Sequence, residues 1–349
     1  MGLQRVTNLR IIVGKIKDKA SQGKAKLSPL SKPHEGALLR ATTHDPTTLP
    51  EEKHLSELLS YGHRSRATAS SVVESLMDRL QNTGDASVAL KCLLAVHQII
   101  RRGTFILQDQ LSIFPASGGR NYLNLSNFRD DKSPFTWEIS AWVRWYARYV
   151  ENLLSASRIL GFFIGSSSNA LEKEKAEEAI SSLLNSDLIR QMDSLVRLIE
   201  DTSRMPESAQ LDSAELLCRV KFLAAEDHVS IMNEVAVRGH ELMERIRILT
   251  FGESVELVCI MRRLESCEET LAAIFDRKVP IESCWVLMRE VKCKLGKVEE
   301  KTAKAERWVV RGSVSARYGG RPGMSSSETV RLSSGRIFSL PISTAEMFG

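Results

Sequence analysis

The 349-residue chain carries 48 Lys and Arg against 43 Asp and Glu, a net charge of +5, with 43% hydrophobic residues; that length buries a full core without a disulfide or metal to supplement it. Its six cysteines, Cys92, Cys218, Cys259, Cys267, Cys284 and Cys293, include no Cys-x-x-Cys pair, which argues against a zinc site or a disulfide framework and for a reducing compartment. No apolar run reaches the length of a signal peptide or membrane span, and Val6 stands where a myristoylation signal needs Ser or Thr, so a soluble protein, or one that clings to a surface, is expected.

Residues 3–19 place Val6, Leu9, Val13 and Ile16 on one helical stripe, with Arg5, Arg10, Lys15 and Lys17 over much of the remainder. Such a helix suits a lipid headgroup layer; the alternatives are that its stripe docks on the body, or that Gly14 lets it fray. The charge distribution leaves these readings open. Residues 1–40 carry nine Lys or Arg against Asp18 and Glu35, a net +7, and residues 311–349 carry a net +3, leaving the middle at −5. Lys15, Lys17, Lys19, Lys24, Lys26 and Lys32 supply most of that N-terminal field, each contributing roughly 1 kcal/mol close to an anionic membrane. Nucleic acid would feel the same field, but the segment has no aromatic residue for bases to stack on, and no zinc-finger or ribonucleoprotein motif occurs. Residues 22–33, with Pro29 and Pro33, read as a flexible connection.

A short helix then ends near Thr43, Asp45-Pro46 interrupts it, and a second begins after Pro50. The junction gathers Arg40, His44, Lys53 and His54, which reads either as basic side chains converging on an anion or as an ordinary solvated turn. From Ser65 to Gly103 the spacing predicts a helical hairpin: one helix stopped by Gly84 as a left-handed cap, and one capped by Asp85 that is apolar nearly all round and therefore buried. His97 on the second is expected to pack rather than bind a ligand.

Phe105–Phe114 reads as a shorter helix and residues 122–131 as a strut. Ser133-Pro134 opens a long helix to about Phe163, with Phe135, Ile139, Trp142, Tyr146, Tyr149 and Leu153 as its core stripe and Trp137, Arg144, Trp145 and Arg148 towards other faces. The aromatic run reads as packing or, alternatively, a partner groove. Further helices are expected over about 170–184, 187–202, 207–225, 229–249, 254–275 and 281–309, and Glu172-Lys-Glu-Lys175 as a solvated helical surface. Residues 311–349, rich in Ser, Gly and Arg, are expected to be disordered, with Ser333 and Ser334 as loosely supported phosphorylation candidates. No segment alternates as a strand, so the fold is expected to be all-α, a curved stack of antiparallel helices.

No constellation for catalysis stands out. There is no glycine-rich phosphate loop or dinucleotide fingerprint, and His240-Glu-Leu-Met-Glu244 has a glutamate where a zinc protease helix needs its second histidine. Neither an enzyme, a metal nor a cofactor is expected.

Five blocks resemble a known family: Arg40-Ala-Thr-Thr-His-Asp45, Lys53-His54-Leu55, Asp85–His97, Tyr122–Asp130 and Trp142–Tyr149 are similar, in order, to the ANTH domain of clathrin assembly proteins in its plant form. The resemblance implies an ANTH/ENTH-type α-solenoid, with a basic amphipathic segment over 1–29, an ENTH-like part over 30–165, a C-terminal helical part over 166–309 and a tail over 310–349. It implies a peripheral adaptor that binds phosphatidylinositol bisphosphate and promotes clathrin-coated vesicle formation in endocytosis, on the cytoplasmic face of membranes at coated pits, vesicles and the Golgi. Arg40 matches the family's basic residue on the first short helix, and Lys53 and His54 match the end of its Lys-x-Lys-His-like cluster. Glu51 replaces the leading lysine and the loop is one residue longer; a carboxylate there offsets about one cation's worth of attraction to phosphate. The tail lacks Asp-Leu-Leu and Asn-Pro-Phe motifs, and Leu340-Pro-Ile-Ser-Thr344 begins like a clathrin box without its acidic end. Vesicle SNARE helices are a further partner class implied. The competing reading is a helical scaffold that binds only protein partners.

Overall fold

The computed structural model describes residues 2–27, 32–115, 118, 121–166, 178–207, 214–275 and 281–296, the side chains of residues 2–11 and 26 excepted. The sequence expectations for the Glu172–Lys175 run, the 310–349 tail, Ser333, Ser334 and Leu340–Thr344 lie outside them. Every regular element among the described residues is helical: α1 (Gly2–Leu27), α2 (Glu35–Ala41), α3 (Glu52–Ser60) with a 3-10 turn over Tyr61–His63, α4 (Arg66–Asn82), α5 (Ala86–Arg102), α6 (Phe105–Ser112), α7 (Pro134–Leu160), α8 (178–181), α9 (Asn185–Ser203), α10 (Glu215–Arg245), α11 (Phe251–Glu265), α12 (Glu268–Ile274) and α13 (281–296). They belong to one compact unit, Met1–Val298. The all-α solenoid expectation is met, successive helices packing on their neighbours: α2 on α3, α4 on α5 and α6, α5 on α7, α7 on α9, and α9 on α10 and α11.

Capping chemistry sets the main boundaries. The Asp85 carboxylate accepts from the Ser87 and Val88 amides and starts α5, while Ser133 and Thr136 cap each other's backbone at the start of α7. Gly161, at φ 84°, ends α7 in the left-handed region. Gly84 does not play that part: the cap of α4 is Thr83, in extended conformation, because the chain runs straight on to the next cap rather than reversing.

Helix α5 is the axis of the stack, buried continuously from Ala86 to Ile100. Helix α7 covers it through Ile139, Trp142, Tyr146, Tyr149 and Leu153, but Phe135 is 38% exposed and Trp145, expected on another face, is buried. The reason is that α7 lies between α5 and α9. Trp145 faces α9, where its Nε1 donates to the Asp201 carbonyl at 2.7 Å and its ring stacks on Tyr149. The strut is tied down by the Leu123 and Leu125 side chains, by Arg144 donating to the Phe128 carbonyl, and by the Asp130 carboxylate, which accepts from the Ala86 amide.

A fully buried polar node joins three helices. His97 on α5 sits 2.6 Å through Nδ1 from the Tyr146 hydroxyl and 2.8 Å through Nε2 from Asp227 Oδ2 on α10. Tyr149 donates to the same oxygen at 3.0 Å, and Arg101 lies 3.5 Å from Asp227 Oδ1. Burial, followed by the Asp227 charge, pushes both tyrosines well above the ordinary phenol range. His97 therefore packs as expected, with an acidic partner 130 positions further along the chain.

Candidate functional site

The site residues come from the junction of α2 and α3. Burial of Ala37, Leu38 and Ala41 seats α2 and leaves Arg40 on its rim; burial of Leu55, Leu58 and Leu59 seats α3, with Lys53 exposed and His54 at the edge of the body. Arg40 Nε donates to His54 Nδ1 at 3.3 Å, and Arg40 Nη2 donates to both oxygens of Glu57 at 3.2 and 3.0 Å. His54 Nε2 lies 3.3 Å from Glu51 Oε2. An Nδ1 that accepts leaves the ring proton on Nε2, facing that carboxylate. The structure thus brings Arg40 and His54 together and sets a carboxylate against each. Lys53 has no partner among the described residues. Glu57, three residues after His54 and on the same helical face, is a site member that the sequence reading missed although its spacing was readable.

The connecting loop is held from three sides. The Asp45 carboxylate accepts from the amide and hydroxyl of Thr47, closing a turn on itself. Arg79 on α4 donates to the hydroxyl and carbonyl of Thr42. Lys91 on α5, with no exposed surface, donates through Nζ to Asp45 O at 2.7 Å, Thr43 Oγ1 at 2.9 Å and Thr48 Oγ1 at 3.4 Å. A lysine inside an otherwise apolar helix was the signal that could have found this anchor.

Helix α1 docks on the same loop, and not by its apolar stripe. Gly14 approaches His44 so closely that an added Cβ would lie 2.9 Å from the histidine Cβ. Asp18, 8% exposed, accepts from the His44 amide at 2.9 Å and lies 2.6 Å from its Nδ1, while Lys15 Nζ is 3.7 Å from Asp45. Burial pushes the Asp18 carboxyl up, but the hydrogen bonds to His44 and the nearby charges of His44 and Arg79 outweigh it and hold the group below the ordinary carboxylate range. At 100° per residue, Gly14 and Asp18 share one side of the helix and Ile12, Val13 and Ile16 the other. Those three apolar side chains are 56%, 44% and 61% exposed. Of the expected stripe, Val13 and Ile16 do not dock, because the loop offers the helix a polar seat at His44; the Val6 and Leu9 side chains lie outside the described residues.

Among the auxiliary lysines, Lys15 pairs with Asp45 and Lys32 lies 3.6 Å from Glu74. Lys17, Lys19 and Lys24 are exposed without partners among the described residues, and the Lys26 side chain lies outside them. A cavity of about 620 Å³ between α1, α2 and α4 is lined by Lys24, Lys32, His44 and Arg79, with Glu35 and Asp78 opposing them. Arg40, Lys53 and His54 do not line it. Among the described residues no three His, Cys, Asp or Glu gather as a metal site, and no helix is long and apolar enough to cross a membrane.

Comparison with known proteins gives a consistent result. Residues 34–218 match the family model described as the ANTH domain. The chain is 48% identical to "Putative clathrin assembly protein At4g40080" of Arabidopsis thaliana, over 97% of this chain and 98% of that protein. It is 32% identical to "Putative clathrin assembly protein At5g10410" of the same organism, over 83% of this chain and 87% of the relative.

Proposed function

The chain belongs to the ANTH-domain family, and from that premise we propose that it is a peripheral membrane adaptor that grips phosphatidylinositol bisphosphate through Arg40, Lys53 and His54 and promotes clathrin coat assembly during endocytosis. The observation that carries the proposal is the part-buried contact of Arg40 with His54 at the edge of the body, one position from Lys53, which is exposed and has no partner among the described residues. Glu57 does not bar the site. Its pair with Arg40 is part-exposed, and such pairs contribute about 0–1 kcal/mol, so a headgroup with several negative charges displaces the carboxylate at small cost. The stripe of Ile12, Val13 and Ile16, turned away from the body on a helix rich in lysine, supplies the lipid-inserting face. The coat role rests on the names of the relatives, and the cytoplasmic face of coated pits and vesicles follows from it.

Sedimentation with vesicles tests the headgroup step. Vesicles containing the bisphosphate are expected to bind the protein more tightly than phosphatidylserine vesicles of equal surface charge; equal binding replaces the grip by a general field. Glu51→Lys changes the local charge by two units, so its affinity for the bisphosphate vesicles is expected to rise about thirtyfold, at roughly 1 kcal/mol per unit of charge near the surface. An unchanged affinity would place the headgroup elsewhere. The carboxylates of Glu51 and Glu57 at the cluster favour one second reading, a scaffold that binds SNARE or coat proteins without phosphoinositide dependence. That reading predicts no difference between the two vesicle types.

A further inference from the structure

The geometry points to Lys91 as the positioning residue of the headgroup site: a buried ammonium that holds the loop between α2 and α3 in the shape that lets Arg40 meet His54. The inference rests on the headgroup reading above. An ammonium has three N–H donors and no acceptor, and here three loop oxygens meet it, Asp45 O, Thr43 Oγ1 and Thr48 Oγ1. They span six residues of the twelve that separate Arg40 from Lys53, so one rigid side chain on the most buried helix fixes the middle of the loop. Among the described residues no carboxylate lies within ion-pair distance of the ammonium. A buried cation satisfied by neutral oxygens is costly to keep unless it organises something, and what this one organises is the loop.

The charged groups around Lys91 are Asp45 and His44 on the loop, Asp18 and Lys15 on α1, Arg79 on α4 and Asp85 at the start of α5. Burial lowers its pKa to about 8 against the opposing pull of Asp45, Asp18 and Asp85. Deprotonation removes the charge that strengthens all three hydrogen bonds, so the loop loosens as pH passes through about 8. Global stability moves the other way. The unfolded chain keeps its lysine proton to a higher pH than the folded one, and folding therefore becomes more favourable as pH rises above 8. A loosening of the site that accompanies a gain in overall stability is a signature that bulk packing does not produce.

The test compares the full chain with Lys91→Met and, independently, with Thr43→Val combined with Thr48→Val, which removes two acceptors and leaves the lysine in place. Amides of residues 43–45 and 47–49 are expected to exchange about tenfold faster in both variants while α5 and α7 stay protected. Affinity for bisphosphate vesicles at pH 7 is expected to fall about tenfold in both, and the advantage of wild type over Lys91→Met to shrink between pH 7 and pH 9, a ratio from which the titration of the lipid itself cancels. Unchanged loop exchange overturns the inference, as does faster exchange with unchanged affinity or an advantage that does not vary with pH. If Lys91→Met loses core protection as well, the threonine pair decides. Should Arg40→Glu combined with Lys53→Glu bind like wild type, the headgroup reading fails, and loop exchange alone decides whether Lys91 is the clamp.

Discussion

Asp227→Ala is expected to lower the unfolding free energy by about 3–5 kcal/mol, the range for removing one partner from a buried charged network. Three groups lose a contact with the carboxylate at once: the Tyr149 hydroxyl, which donates to it at 3.0 Å, His97 at 2.8 Å and Arg101 at 3.5 Å, the first two fully buried. Glu226→Ala, one residue away, is the internal comparison. Glu226 also pairs with Arg101, at 2.7 Å, but its side chain is 41% exposed, and truncating it is expected to cost less than about 1 kcal/mol. Urea denaturation followed by circular dichroism reads both. Equal small losses for the two variants would mean that the node is not what joins α5, α7 and α10.

Replacing Val13 and Ile16 together by Glu is expected to weaken vesicle binding by a hundredfold or more. Full burial of a Val or Ile side chain is worth roughly 1.5–3 kcal/mol, and even half of that, summed over two residues and joined to the repulsion of two new carboxylates by anionic lipid, exceeds about 3 kcal/mol. Both side chains point away from the seat that Gly14 and Asp18 make on His44, so the docking of α1 should survive. Flotation assays on bisphosphate vesicles measure the loss, and hydrogen exchange across α1 checks the docking. Undiminished flotation would strip the stripe of any membrane role.

The same helix shows what the sequence could and could not disclose. Its apolar stripe and basic flanks were readable from spacing alone, but the docking face was not, since it consists of a glycine and an aspartate that periodicity counts as polar or helix-weakening. Asp18 became a buried residue only because His44, 26 positions later, presents both an amide and a ring nitrogen to it. In α10 the trio Glu226-Asp227-His228 broke the apolar pattern and suggested two helices, over 207–225 and 229–249. The helix runs unbroken through it, because Asp227 is met by His97 from α5 and by the Tyr149 hydroxyl from α7, and His228 is buried against Phe275. The opposite error occurred over 254–275, where one expected helix is two, meeting at Ser266-Cys267. At the candidate site, the placement of Arg40, Lys53 and His54 at one helix junction was legible from order and type. Their electrostatic balance was not, because the capture of Arg40 by Glu57 depends on how α2 leans across α3.

The adaptor account stands or falls on the cationic edge at the α2–α3 junction. The most direct measurement is the affinity of wild type and of Arg40→Glu combined with Lys53→Glu for vesicles bearing phosphatidylinositol bisphosphate, alongside phosphatidylserine vesicles of matched charge. The account predicts that the double variant loses its preference for the bisphosphate while keeping the helical signal and urea midpoint of the wild type. A double variant that retains the wild-type preference would contradict it.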